Sequence, residues 1–143
     1  MIDLRDASAS AEALIRELDL KPHPEGGHFR ETWRDIPADG GRGVGTAILF
    51  LLSEGERSHW HRVDAAELWI WQAGAPLLLR VGAEVQCHLG PAWAAGEQLQ
   101  QLVPKSCWQS AHSLGRWTLC SCVVVPAFSF AGFELAPPGL EPR

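Results

Sequence analysis

From His28 onward the chain is a succession of short apolar runs, each cut by glycine or proline, and this pattern limits its folds more than any other feature. Strand-like runs span 28–34, 44–52, 58–63, 67–72, 77–81, 85–89, 99–103 and 117–125. The run 44–52 is almost wholly apolar, which suits a strand covered on both faces. Many short strands at such spacing close into a sandwich or barrel. Only 11–18 carries a 3.6-residue period, through Ala11, Leu14, Ile15 and Leu18, with Ser10 available as N-cap. Pro22 ends that helix, and 22–27 reads as a rigid turn. The expectation is an all-β barrel with one short N-terminal helix outside it.

A chain of 143 residues suits one domain, taken as 1–143 with its core at about 14–135. With 46% hydrophobic and 20% charged residues it is globular in composition. The net charge of -5 argues against nucleic acid or an anionic membrane as partner. The first residues carry acids and lack an apolar run, so no secretory signal is read and a cytoplasmic location is expected. There Cys87, Cys107, Cys120 and Cys122 stay reduced, and Cys120 and Cys122 read as small buried hydrophobes. Seven tryptophans exceed what one small barrel readily buries. A homodimer is therefore expected, with the 128–135 tail and the Phe29–Trp33 strand as candidate contacts.

The strongest chemical signal is Gly55-Glu56-Arg57-Ser58-His59-Trp60-His61, followed by Glu67. Two residues apart on a strand, His59 and His61 point the same way. A turn at 64–66 returns Glu67 beside them. Two imidazoles and a carboxylate on one face suit a divalent metal, non-haem iron included, and equally suit a hydrogen-bonded cluster without metal. Alternation turns Trp60 and Arg62 outward; a bulge near Ser58 would reverse these facings and send His59 to solvent. His23, fixed between two prolines, is balanced between a turn and a pocket role, and Glu25 and Glu31 are further inward candidates. Ser58 and Ser110 lack a nucleophile-elbow setting, and the glycines at 40–43 lack the strand and helix of a phosphate loop.

These residues resemble the cupins. Gly55…His59-x-His61…Glu67…Gly74 is similar to the first cupin motif, and Gly96…Pro104-Lys105-Ser106…Gln109 to the second. More narrowly, Pro22-His23-Pro24-Glu25-Gly26-Gly27-x-Phe29-x-Glu31-Thr32, Ser58-x-Trp60-His61-Arg62, Glu67-x-Trp69 and Val103-Pro104-x-x-x-Trp108-Gln109 resemble a small bacterial and fungal cupin family. The resemblance implies a jelly-roll barrel, a homodimer and likeness to sugar-nucleotide epimerases. It implies His59, His61, Glu67 and Gln109 as ligands of Fe, Mn, Ni or Zn, and Glu31, Trp69, Trp108 and Gln109 as substrate contacts. The chain departs from the general motifs: three residues separate Gly55 from His59, five separate His61 from Glu67, and Gln109 stands where a histidine is usual. An amide oxygen is a weaker ligand for late first-row metals than imidazole, so a metal-free site stays open.

Two functions follow. One is an enzyme acting on a polar, oxygen-bearing small molecule inside the barrel: a carbonyl compound, an acid or a sugar. It would work either through the metal or, without metal, through His61 as general base oriented by Glu67, in an epimerisation or isomerisation. The other is a non-catalytic module that holds such a ligand against tryptophan.

Overall fold

The computed structural model describes residues 1–139. A single α-helix, α1 (Ala11–Glu17), precedes eleven strands. These are β1 (Lys21–Pro22), β2 (His28–Arg34), β3 (Thr46–Ser53), β4 (Arg57–Val63), β5 (Ala66–Gly74), β6 (Leu77–Val81), β7 (Val85–Leu89), β8 (Gln100–Val103), β9 (Gln109–Ser113), β10 (Trp117–Val125) and β11 (Phe133–Leu135). Two antiparallel sheets face each other: β1-β2-β3-β10-β5-β8 and β11-β4-β9-β6-β7. This is the barrel expected from the runs and turns, in the jelly-roll form that the cupin resemblance implied.

Alternation along the strands sorts their side chains. Phe50 and Leu52 on β3, Trp69 on β5, Leu77 and Leu79 on β6, and Cys120 and Cys122 on β10 pack together between the sheets. The odd-numbered set, Leu51 and Leu119, lies on the far face and is covered by Leu14 and Leu20. Leu14 is the inward residue of the amphipathic helix and is fully buried. Removing its side chain should cost about 2–5 kcal/mol. Ser10 accepts the Ala13 amide as N-cap, and the Trp117 indole donates to the Ala9 carbonyl at 2.7 Å, which pins the helix to the sheet. All four cysteines are free; Cys120 and Cys122 are buried, as the hydrophobe reading expected, and Cys87 is buried as well.

Two elements were hidden in the sequence. Pro22 pairs with His28 in the two-residue edge strand β1, where a missing amide hydrogen is tolerated. β9 has the polar sequence Gln-Ser-Ala-His-Ser, yet it lies between β4 and β6 and pairs with both. The tail residues Phe128, Phe130 and Phe133 pack against His23 of the same chain. That docking accounts for part of the aromatic surplus within one protomer. Among the described residues no helix is long and apolar enough to cross a membrane.

Candidate active site

One local irregularity decides which side chains enter the barrel. In the β4–β9 register Ser58 faces Ala111 and His61 faces Gln109, so three steps on β4 span two on β9. The extra residue is a β-bulge. It turns both Ser58 and His61 inward, at 0% and 1% exposure, and leaves His59 on the outside, exposed. The expected convergence of His59 with His61 and Glu67 therefore does not occur: plain alternation fails because the strand is not plain. Trp60 also lies outside the cavity.

His59 is replaced by residues of the first turn. Gly26, at φ 103°, takes a conformation other residues resist, and a Cβ there would collide with the Arg57 carbonyl. The turn can thus press against β4, where the His59 amide donates to the Glu25 carbonyl at 2.7 Å. That carries Glu25 and His23 inside, at 6% and 8% exposure. Glu25 Oε2 stands 3.1 Å from His61 Nε2 and accepts the Ser58 hydroxyl, while Oε1 lies 3.3 Å from His23 Nδ1.

The proton positions follow from the partners. His61 Nδ1 lies 2.7 Å from the His59 carbonyl, which can only accept, so Nδ1 carries the proton. The lone pair is then on Nε2, directed at Glu25. Burial disfavours both charged forms: it pushes the Glu25 carboxyl up to about 8, against a smaller lowering by Ser58, and lowers His61. Glu25 is thus a neutral acid at pH 7 whose proton points to His61 Nε2. His23 accepts the Glu25 amide on Nδ1 at 3.1 Å, and burial, then the nearby His61, bring it down to about 4.

Glu67 occupies a second polar position. Burial first and the neighbouring Glu25 carboxyl second push its carboxyl up to about 7; His61, Gln109 and the Cys122 thiol pull the other way. Gln109 donates to Glu67 Oε1 at 2.8 Å and accepts the Trp69 indole N–H at 2.8 Å. Indole nitrogen only donates, so the amide oxygen of Gln109 is fixed toward Trp69. Trp69 is a core residue at 1% exposure that acts through this amide. Trp108 lies outside, under the Arg62 guanidinium at 4.6 Å from its ring centre. Arg62 faces out, as alternation implied, and pairs with Glu134.

These residues line a cavity of about 60 Å³ whose floor is His23, Glu25, His61 and Glu67. Its mouth is formed by Glu31, Arg34, Phe128 and Phe130. Arg34 holds Glu31 through Nε at 2.7 Å and Nη2 at 2.8 Å, and donates from Nη1 to the Phe128 carbonyl. A cavity of about 150 Å³ takes a benzene ring. This one takes a carboxyl, aldehyde or hydroxyl-bearing end, with the rest of the ligand across the mouth.

The metal set of His59, His61, Glu67 and Gln109 does not fit a metal ion. His59 is outside, and Gln109 turns its oxygen to an indole and its N–H to Glu67. Among the described residues, no three His, Cys, Asp or Glu side chains are grouped to hold one. Of the predicted site residues, His61, Glu67 and Gln109 come together, Glu31 lies at the mouth, Trp69 supports from below, and His59 and Trp108 lie elsewhere. Glu25 and His23, both inward candidates from the sequence, do enter the site, and Ser58 joins them through the bulge; the glycine pair after Glu25 permits the inward turn.

A family model described as "Cupin superfamily (DUF985)" matches residues 12–136. Among solved structures, a protein of Shewanella oneidensis is 38% identical at a TM-score of 0.84, covering 90% of this chain and 85% of its own. A hypothetical protein from Leishmania major is 30% identical at 0.81, covering 90% and 88%. The DMSP lyase DddQ from Ruegeria pomeroyi, at 14% identity and 0.58, covers 99% of this chain and 62% of its own and shares the fold. No curated protein matches significantly.

Proposed function

The chain belongs to the DUF985 family of the cupin superfamily, and on that footing we propose that it is an enzyme of proton transfer, acting on a small oxygen-bearing molecule whose reactive end enters the barrel. The observation that carries this reading is the buried Glu25–His61 contact of 3.1 Å, an acid with a proton to give facing a base with a lone pair. Structural residues rarely need such a pair, since burying two ionisable groups is costly.

In this reading a carbonyl compound, hydroxy acid or sugar inserts its carbonyl end between the two. His61 Nε2 takes the proton from the carbon beside the carbonyl, and Glu25 gives its proton to the carbonyl oxygen, leaving a neutral enediol. Reversal onto the other face or the neighbouring carbon completes an epimerisation or isomerisation. Glu67, poised near neutrality, is the second carboxyl able to exchange the proton, and Gln109 with Trp69 fixes its orientation. The Glu31–Arg34 pair at the mouth meets the remainder of the substrate. The working unit is taken as a cytoplasmic homodimer: Trp33, Leu102 and Val125 are each about half exposed, leaving apolar surface for a second copy to cover.

The test is carbon-bound hydrogen exchange. A panel of small 2-oxo acids, 2-hydroxy acids and aldoses is incubated in D2O with wild type and Glu25→Gln and followed by proton NMR. Exchange beside a carbonyl with wild type alone supports the reading. Retention of a panel member in native mass spectrometry without exchange favours the binding module instead.

A further inference from the structure

The outer face of the five-stranded sheet carries a feature unconnected to the cavity. Pairing across β4, β9 and β6 sets Arg57 beside His112 and His112 beside Leu78. One row along, Ser110 pairs with Arg80, and Trp60 sits in the bulge opposite Ser110. Trp60, Ser110 and Leu78 are at most 9% exposed, so this face has a closely packed floor.

Charge and hydrogen bonding on it are both unbalanced. Arg5, Arg34, Arg42 and Arg62 each pair with a carboxylate. Arg57 and Arg80, like Arg16, Arg30 and Arg116, have no such partner among the described residues, and these two share the face that holds the unpaired donors. Two buried donors, Trp60 Nε1 and Arg80 Nε, flank Ser110 and make no hydrogen bond within the described chain. An unpaired buried donor is costly and rare in native structures. Burial, then Arg57 and Arg80, lower His112, so both guanidinium fields reach the same spot.

We propose that this face binds an oxyanion, the phosphate or carboxylate group of a small molecule, over Ser110 between Arg57 and Arg80. The Arg80 guanidinium suits two acceptor oxygens, Trp60 Nε1 and the Ser110 hydroxyl supply neutral donors, and Arg57 supplies the second charge. No carboxylate competes for the position among the described residues that pair across it.

The Trp60 indole N–H resonance, assigned with Trp60→Phe, is followed by NMR during titration with inorganic phosphate and, separately, acetate, at ionic strength held constant with sodium chloride. A saturable shift is expected, with the midpoint raised about tenfold or more in Arg57→Gln and in Arg80→Gln, the loss of one charge-assisted hydrogen bond. Saturation by phosphate alone assigns a phosphoryl ligand, and by acetate alone a carboxylate. No saturation with either ion, or an unchanged midpoint in Arg57→Gln, overturns the site. Arg57 is exposed, so that variant decides even if Arg80→Gln fails to fold.

Discussion

His61 and Glu25 meet at 3.1 Å although 36 positions separate them in the chain, and the contact exists because a glycine turn and a β-bulge bend two segments toward each other. The His59 backbone serves both partners: its amide holds the Glu25 carbonyl, and its carbonyl fixes the His61 tautomer. The side chain of His59 takes no part.

Replacing either member should remove proton transfer and spare the fold. His61→Ala and Glu25→Gln are each expected to slow substrate hydrogen exchange by about 10²–10⁴-fold. Circular dichroism should remain that of the wild type. An active Glu25→Gln protein would transfer the acid role to Glu67.

Stability should fall as pH rises above neutrality. Glu25 and Glu67 have folded values raised to about 8 and about 7, from an ordinary 4.5. Between the two limits the unfolded chain binds fewer protons than the folded one, so their contribution is full below about 4.5 and is lost as pH rises to about 8. His23, lowered from 6.5 to about 4, acts oppositely, its contribution being full above 6.5 and lost as pH falls toward 4. Above pH 6.5 only the carboxyls remain, and unfolding free energy should drop by roughly 2 kcal/mol by pH 8. Urea melts at pH 6.5 and 8 check this; the drop should be smaller in Glu25→Gln, and an equal drop there would assign it elsewhere.

Gln109→Leu leaves the Trp69 indole and one Glu67 oxygen unpaired in the interior. Each unpaired buried group costs about 1–3 kcal/mol. Losing the amide should also raise the Glu67 carboxyl further, since Gln109 lowers it. Denaturant melts and carboxyl NMR titration read the two effects; a Gln109→Leu protein as stable as wild type would contradict the role given to the Trp69–Gln109–Glu67 hydrogen bonds.

His59→Ala should change stability by less than about 0.5 kcal/mol, as at other exposed positions. His59→Ala should also leave any divalent metal content of the dialysed protein unchanged, read by elemental analysis. Metal lost with His59 would restore the alternating geometry.

The barrel was legible because its strands are β-branched or apolar runs bounded by glycine and proline, and α1 because its period and cap agree. His61, Glu67 and Gln109 were legible through motif spacing. His59 was misread because the residue inserted between Ser58 and His61 breaks the alternation on the Ser58 side while leaving His61 and Arg62 facing as expected, and nothing in Ser-His-Trp-His marks a bulge. β9 was invisible because four of its five residues are polar, Gln109 in the site among them, and Ala111 is its only apolar residue in the core. Glu25 was legible as an inward candidate but not as a member of the central pair, because only the contact of its turn with β4 brings it to His61.

Nitrogen-15 NMR of the His61 ring across pH 5–9 tests the acid–base pair most directly. A protonated Nδ1 and an unprotonated, hydrogen-bonded Nε2 at pH 7, with the Nε2 signal changing near pH 8 as Glu25 loses its proton, is the predicted result. A doubly protonated ring at pH 7, or an Nε2 signal unchanged in Glu25→Gln, would contradict it.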